Sequence, residues 1–429
     1  RGVQTITMFT TFEEAKNWIE NAHRFGEKLD LDRMKLACER LGHPEASFKS
    51  IHVAGTNGKG STANYLKNIL CESGLKVGIY TSPYVIKFNE RIGINDEFIS
   101  DQEVVGYANL LNGLWDEIYN TYHDAITFFE LLTLMAFLYF REHQIDFAVV
   151  EVGLGGLLDA TNVIVPEISC ITNISFDHMK QLGNTLESIA LNKLGIVKEG
   201  VPLITSIEEK TLFPLFSEIT AKRHARLKIV DFKQINQVAI GEITSFRYRD
   251  QPYEIQLPGM HQVKNACLAI EVIRELRVRN HLTINEKAIF DGLKRTRWPG
   301  RFEIFDHQVI LDGAHNIGGI ESLIQTLKTM YHGVVIKCLF CMMKDKEHKR
   351  VIIELDNAVD EFYFTEIDYP RRANAEDLFL ESHHPKKFLV PDYRTIFPKL
   401  RAELKKNEIL VVTGSLYFIS DIRKLLITE

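Results

Sequence analysis

The alternation of short apolar runs with segments of helical spacing constrains this chain more than any other feature. Residues 50–54, 76–80, 146–150, 167–174 and 202–205 are apolar stretches of strand length. Between them, helix-period segments occupy 62–72, 128–142 and 186–198, after an opening helix around 11–22. Repeated strand, helix, strand predicts a parallel sheet, because parallel neighbours need a crossover and helices on both faces let each strand be apolar throughout. The chain therefore reads as a doubly wound, mostly parallel α/β domain.

The texture changes over 227–257 to short alternating runs with turns at Gly241 and Asp250-Gln251-Pro252, which predicts a small β-rich insert. A helix follows over 263–277, and the helical pattern stops at Trp298-Pro299-Gly300. Strands are then expected at 308–311, 334–340, 361–365, 387–390 and 408–412 with helices between them, giving a smaller C-terminal Rossmann-like α/β domain. At 429 residues the chain exceeds one ordinary core, and the break divides it into domains 1–296 and 297–429. The expected elements begin after Met8.

A formal net charge of -6 argues against a broad nucleic-acid footprint, which relies on clustered Lys and Arg, so any anion site is local. Six cysteines are too sparse for a disulfide scaffold, and most lie inside apolar runs. Cys338 and Cys341 have CxxC spacing, but they sit in an apolar strand with no second Cys or His pair, so both are expected in the core. No run approaches the roughly 20 apolar residues that span a bilayer, and no secretory signal pattern opens the chain. A cytoplasmic monomer without membrane or nucleic-acid partners is expected.

The loop Gly55-Thr56-Asn57-Gly58-Lys59-Gly60-Ser61 follows an apolar strand and opens a helix. In that context backbone N–H groups and a helix N-terminus cradle phosphates while Lys59 reaches the terminal ones, so the loop reads as a P-loop for ATP. Its spacing is irregular, with only Thr56 and Asn57 between Gly55 and Gly58, and Gly60 between Lys59 and Ser61. Open parallel sheets bind ligands beyond the carboxyl ends of their strands, and Ser82, Glu151 and His178 stand at three such ends. A hydroxyl and a carboxylate near a triphosphate suit Mg²⁺, with the imidazole the less expected member. In the second domain Asp312-Gly313-Ala314-His315-Asn316 and Thr413-Gly414-Ser415-Leu416-Tyr417 each follow a strand and open a helix, two polar turns able to face the loop across a cleft.

These strings, with Tyr80-Thr81-Ser82-Pro83, Phe88-Asn89-Glu90-Arg91-Ile92, Glu151-Val152-Gly153-Leu154-Gly155-Gly156, Asp177-His178, Gly259-Met260-His261-Gln262, Asn265-Ala266 and Trp298-Pro299-Gly300-Arg301, cover nearly the whole chain. Together they resemble the folylpolyglutamate synthase and dihydrofolate synthase family, relatives of the Mur ligases. The resemblance implies an ATP-dependent carboxylate–amine ligase that joins L-glutamate to folate through an acyl phosphate. It assigns ATP to Thr56, Asn57, Gly58, Lys59, Gly60 and Ser61 with Asn265, Arg301 and Asp312, Mg²⁺ to Ser82, Glu151 and His178, and glutamate to His315 and Ser415. Lys59, Lys193 and His315 take the catalytic positions, and Lys193 matches a lysine that is carbamylated in these ligases. Many family members carry Arg where this chain has Leu157. Dihydropteroate as acceptor, alone or beside a reduced folate, stays open at this point, as do a Mur-type ligase and a non-ligating ATPase.

Overall fold

Eight strands form the N-terminal sheet: β1 Lys49–Ala54, β2 Val77–Tyr80, β3 Ile92–Ile94, β4 Glu97–Phe98, β5 Phe147–Glu151, β6 Ile168–Ile171, β7 Leu203–Thr205 and β8 Leu227–Ile229. This computed structural model describes residues 8–428; residues 1–7 and Glu429 lie outside the described residues. The strand order is β4-β3-β2-β5-β1-β6-β7-β8. The run from β2 to β8 is parallel, and β3 and β4 close one edge as an antiparallel ribbon.

Both faces of the central strands are apolar and covered. On β5, Val149 packs with the helices Lys59–Glu72 and Met260–Arg279, while Ala148 and Val150 point to the opposite core beneath Asp101–Tyr122 and Phe128–Glu142. Each fully buried Ile or Val here contributes about 1.5–3 kcal/mol, so continuous apolar strands are stable only in this two-sided setting. Thr127 opens the Phe128–Glu142 helix with a reciprocal cap, its hydroxyl accepting from Glu130 N while the Glu130 carboxylate accepts from Thr127 N.

The insert holds β9 Ile235–Ala239, β10 Thr244–Tyr248 and β11 Gln251–Ile255, all antiparallel. It begins later than predicted, because Leu227–Ile229 pairs parallel with β7 at the edge of the main sheet. The turn also differs from expectation. Arg249 and Asp250, at φ 47° and 61°, make the two-residue hairpin, and Pro252 sits within the edge strand β11 opposite Arg247.

The C-terminal sheet contains β12 Glu303–Phe305, β13 Val309–Asp312, β14 Val335–Phe340, β15 Glu361–Glu366, β16 Lys387–Asp392 and β17 Glu408–Thr413. Its order is β12-β13-β17-β14-β15-β16, parallel except for β12. All six cysteines are free and five are buried, Cys338 and Cys341 among them. Among the described residues no helix is long and apolar enough to cross a membrane.

Candidate active site

The loop after β1 is shaped by two glycines in backbone conformations that disfavour a side chain. Gly55 has φ 141°, and a Cβ there would lie 1.8 Å from Thr172 Oγ1; Gly58 has φ 81°, and a Cβ there would lie 2.6 Å from Asn265 Oδ1. The helix Lys59–Glu72 starts at once, so its unpaired first N–H groups open toward the loop. The segment after β6 clamps the loop from the side. Thr172 Oγ1 and Asn173 Nδ2 donate to Asn57 O at 2.6 and 2.8 Å, Asn57 N donates to Asn173 Oδ1 at 2.9 Å, and Thr56 Oγ1 donates to Ser175 O at 3.1 Å. Gly55→Ala displaces the Thr172 hydroxyl from this clamp. It is expected to cost about 1–3 kcal/mol in stability and to weaken nucleotide binding, read by thermal melting and calorimetric titration.

Lys59 arches back across the loop, its Nζ donating to Gly55 O at 2.9 Å and Thr56 O at 3.4 Å. Burial lowers its basicity, and the Glu151 and Asp177 carboxylates oppose that. Beyond Lys59, Gln262 Nε2 donates to Ser61 Oγ at 3.2 Å and Asn265 Nδ2 donates to Gln262 Oε1 at 3.1 Å. The helix Met260–Arg279 thus touches the loop through both amides, with Gln262 quoted in the sequence motif but given no role there.

Ser82 and Glu151 meet at the ends of β2 and β5, where Ser82 N donates to Glu151 Oε2 at 3.2 Å. Glu151 is 4% exposed, and burial raises its carboxyl to about 7 against the pull of Lys59. A buried carboxylate beside a hydroxyl suits a hard cation that keeps several waters. His178 Nε2 lies 3.8 Å from Asp177 Oδ2. Among the described residues no three His, Cys, Asp or Glu side chains converge as a metal-ligating group.

Asp177, which the sequence left without a role, joins the two sheets. Its Oδ1 accepts from Lys346 Nζ at 2.7 Å, its Oδ2 accepts from Asn316 Nδ2 at 3.1 Å, and His315 Nε2 lies 3.6 Å from Oδ2. These partners, with His178, hold the carboxyl far below the usual carboxylate range despite its burial. Asn316 also exchanges two amide hydrogen bonds with Asn57, at 2.9 and 3.0 Å. The helix Ile317–Met330, capped by the Asn316 side chain on Gly319 N, therefore starts against the glycine loop.

At the end of β13, Asp312 accepts from Phe302 N at 3.0 Å and Ala314 N at 2.8 Å, and the Arg301 guanidinium opposes the rise that burial imposes on its carboxyl. Burial lowers the Arg301 guanidinium, and the Asp312 and Glu151 carboxylates oppose that. His315 Nδ1 donates to Gly313 O at 2.9 Å. The Ser415 turn is pinned alongside, with Gly414 N donating to Ala314 O at 3.1 Å, and the buried Ser415 Oγ has no hydrogen-bond partner. Lys193 ends the helix Leu186–Lys193 at 4% exposure, and burial, with Lys59 nearby, lowers it to about 7. Gly155 and Gly156 leave room for this helix end, since a Cβ on Gly156 would lie 2.9 Å from Lys193 O. Leu157 is 48% exposed beside the two glycines.

Residues 53–273 match the Mur ligase middle domain and residues 300–416 match the Mur ligase glutamate ligase domain. A dihydrofolate synthase/folylpolyglutamate synthase of Bacillus subtilis is 39% identical over 97% of this chain and 99% of its own length. The chain belongs to the folylpolyglutamate and dihydrofolate synthase family of Mur ligases. Solved members superpose over nearly the full length of this chain. The Thermotoga maritima folylpolyglutamate synthase has a TM-score of 0.81 at 32% identity, covering 97% of each chain. The Escherichia coli FolC, solved in complex with DHPP and ADP, has a TM-score of 0.85 at 27% identity, covering 98% of each chain. In this family member the glycine loop and the segment after β6 meet the C-terminal sheet through Asn57 and Asp177, which bond Asn316 and Lys346.

Proposed function

We propose that this family member joins L-glutamate to a folate carboxylate at the expense of ATP, with a reduced folate as acceptor. A free carboxylate does not react with an amine in water; phosphorylation makes an acyl phosphate, which the glutamate amine attacks. The observation that carries the reading is the junction of two sheets at Asp177 and Asn57, where a phosphate loop faces polar turns of a second domain. On this reading the domains meet between residues 296 and 297. Thr296 stays with the nucleotide side, accepting a hydrogen bond from Asn68 Nδ2 at 2.8 Å.

Thr56, Asn57, Gly58, Gly60 and Ser61 hold the nucleotide phosphates through backbone and hydroxyl groups, with Asn265 closing the loop from its side. Lys59 reaches the transferring phosphoryl group once phosphates displace it from the Gly55 and Thr56 carbonyls, and Arg301 and Asp312 complete the site from across the seam. Ser82 and Glu151 are the oxygen donors that fit Mg²⁺, with His178 as the third ligand of this reading; when bound, the ion would neutralise charge on the phosphates. His315 and Ser415 hold the incoming glutamate, the unpaired Ser415 hydroxyl being a ready donor for its carboxylate. Domain closure aligns the substrates and excludes water. The protein acts as a cytoplasmic monomer.

A second reading, a bifunctional enzyme that also accepts dihydropteroate, is supported by the double name of the Bacillus subtilis relative. Incubation with MgATP and L-glutamate, offering tetrahydrofolate and dihydropteroate separately, tests both by the mass of the product. Tetrahydrofolate is expected to gain one glutamate per ADP formed, and chelating the divalent cation with EDTA is expected to stop the reaction. ATP turnover indifferent to folate and glutamate overturns the ligase reading.

A further inference from the structure

Arg91 is only 7% exposed, its Nε has no hydrogen-bond partner, and among the described residues no carboxylate pairs with it. Its guanidinium carbon lies 5.1 Å from the Tyr84 ring centre and 5.3 Å from that of Phe128. Arg24 lies over the same Phe128 ring at 4.1 Å, so a second cation faces this desolvated one. Burial pushes the Arg91 guanidinium down and Arg24 adds to that, while the hydroxyls of Tyr80, Tyr417 and Tyr84 favour its charge. A buried, unpaired cation is costly, and a fold that keeps one beside another arginine provides for an anion.

The C-terminal sheet completes the cluster. Tyr417 stacks on Tyr369 with ring centres 4.4 Å apart, and Arg371 lies 5.8 Å from the Tyr369 ring centre. Arg371 has one carboxylate neighbour, Asp345 at 3.5 Å, and both side chains are well exposed to solvent. Tyr417 is acted on by Arg371 and by Arg24, which ties the two halves together across the seam. Three arginines from three separate segments therefore surround an aromatic floor. Guanidinium forks recognise carboxylates, and aromatic faces keep the forks in place.

Resting on the glutamate-transfer reading, we propose that Arg91, with Arg24 and Arg371, binds the α-carboxylates of a glutamyl tail already carried by the acceptor. The backbone supports the acceptor as the source of that carboxylate. Arg91 O accepts from Thr81 N at 2.9 Å, so Arg91 starts from the strand end that carries Ser82. A γ-carboxylate reacting near Ser82 and Glu151 leaves its α-carboxylate within a few bonds, on the Arg91 side. Incoming glutamate has its own unpaired donor at Ser415, on a different turn. Pteroate acceptors have no α-carboxylate and gain nothing from the cluster.

Arg91→Met and the exposed Arg24→Met are compared with the unaltered protein on tetrahydrofolate monoglutamate, its triglutamate and dihydropteroate, with thermal melting of each variant. Where dihydropteroate is not turned over, its affinity is read by competition against the glutamyl acceptor. Arg91→Met is expected to lower kcat/KM for both glutamyl acceptors by about 10- to 100-fold, chiefly through acceptor KM. Arg24→Met is expected to lower it about 3- to 10-fold. Dihydropteroate and the KM for L-glutamate should change less than about twofold. An equal loss on all acceptors assigns the arginines a structural role, and a raised KM for L-glutamate assigns them to the incoming amino acid; either result overturns the proposal. Absence of glutamate transfer by the unaltered protein defeats the ligase reading instead.

Discussion

Lys59→Ala is expected to abolish ATP-dependent product, with kcat reduced by at least about 10²- to 10³-fold, the usual loss when a positioned electrostatic group is taken from a transition state. The magnitude follows from where the ammonium sits. It lies inside the loop, lowered by burial and balanced by Glu151 and Asp177, so it meets transferring phosphoryl charge in a poorly hydrated setting. The fold should survive the change. The loop is fixed by Thr172, Asn173 and Ser175, and Lys59 adds two hydrogen bonds to carbonyls, together worth about 1–2 kcal/mol. Melting curves close to those of the unaltered protein, with glutamate incorporation gone, would separate chemistry from folding. Full activity in Lys59→Ala would remove the loop assignment.

The central strands were legible in the sequence because parallel strands buried on both faces must be apolar at successive positions, as Phe147-Ala148-Val149-Val150 is. The run expected over 167–174 stops as a strand at Ile171 for a reason that apolarity does not encode. Thr172 N still donates to Ala54 O and Thr56 N donates to Asn173 O, but the Thr172 and Asn173 side chains turn to Asn57 O and shape the loop rather than extend an apolar strand. The helix expected over 186–198 ends at Lys193, where the chain tightens to a 3-10 turn over Leu194–Ile196. Edge strands β3, β4 and β12 are two or three residues long, too short to show a period.

The glycine loop was readable because its chemistry is local: glycines, a lysine and a helix start lie within seven residues. Asp177 was not, since its partners Asn316 and Lys346 lie 139 and 169 positions away and only the meeting of the two sheets joins them. Arg91 was visible as part of a motif, but its lack of a counter-charge is a property of the folded interior. His178 was grouped with Ser82 and Glu151 by its strand-end position; its backbone is left-handed, φ 49°, and its Nε2 lies 3.8 Å from Asp177 Oδ2. Strand ends specify which residues gather at a seam; the local backbone decides where each side chain points.

Lys193→Met is expected to lower turnover by about 10²-fold or more, comparable with loss of a preorganised charged group, because Lys193 is proposed to work as a carbamate. An ordinary lysine near neutral pH is about one part in a thousand neutral amine, and only the neutral amine adds to CO₂. Burial, then the neighbouring Lys59, lowers Lys193 to about 7, so roughly half or more of it is neutral at and above that pH. Carbamylation converts a second buried cation beside Lys59 into an anion, which relieves the repulsion and supplies oxygen atoms near the phosphate loop. The pH direction follows. Below about 7 the ammonium dominates and the carbamate is lost, so activity should fall on the acid side and recover with added bicarbonate. The unmodified form has its own signature in stability. Between about 7 and 10.5 the unfolded chain would hold a proton that the folded one lacks, and stability would rise with pH. Intact mass in CO₂-depleted and bicarbonate-containing buffer, read alongside activity, decides the matter: a mass without added CO₂ in fully active protein would exclude the carbamate.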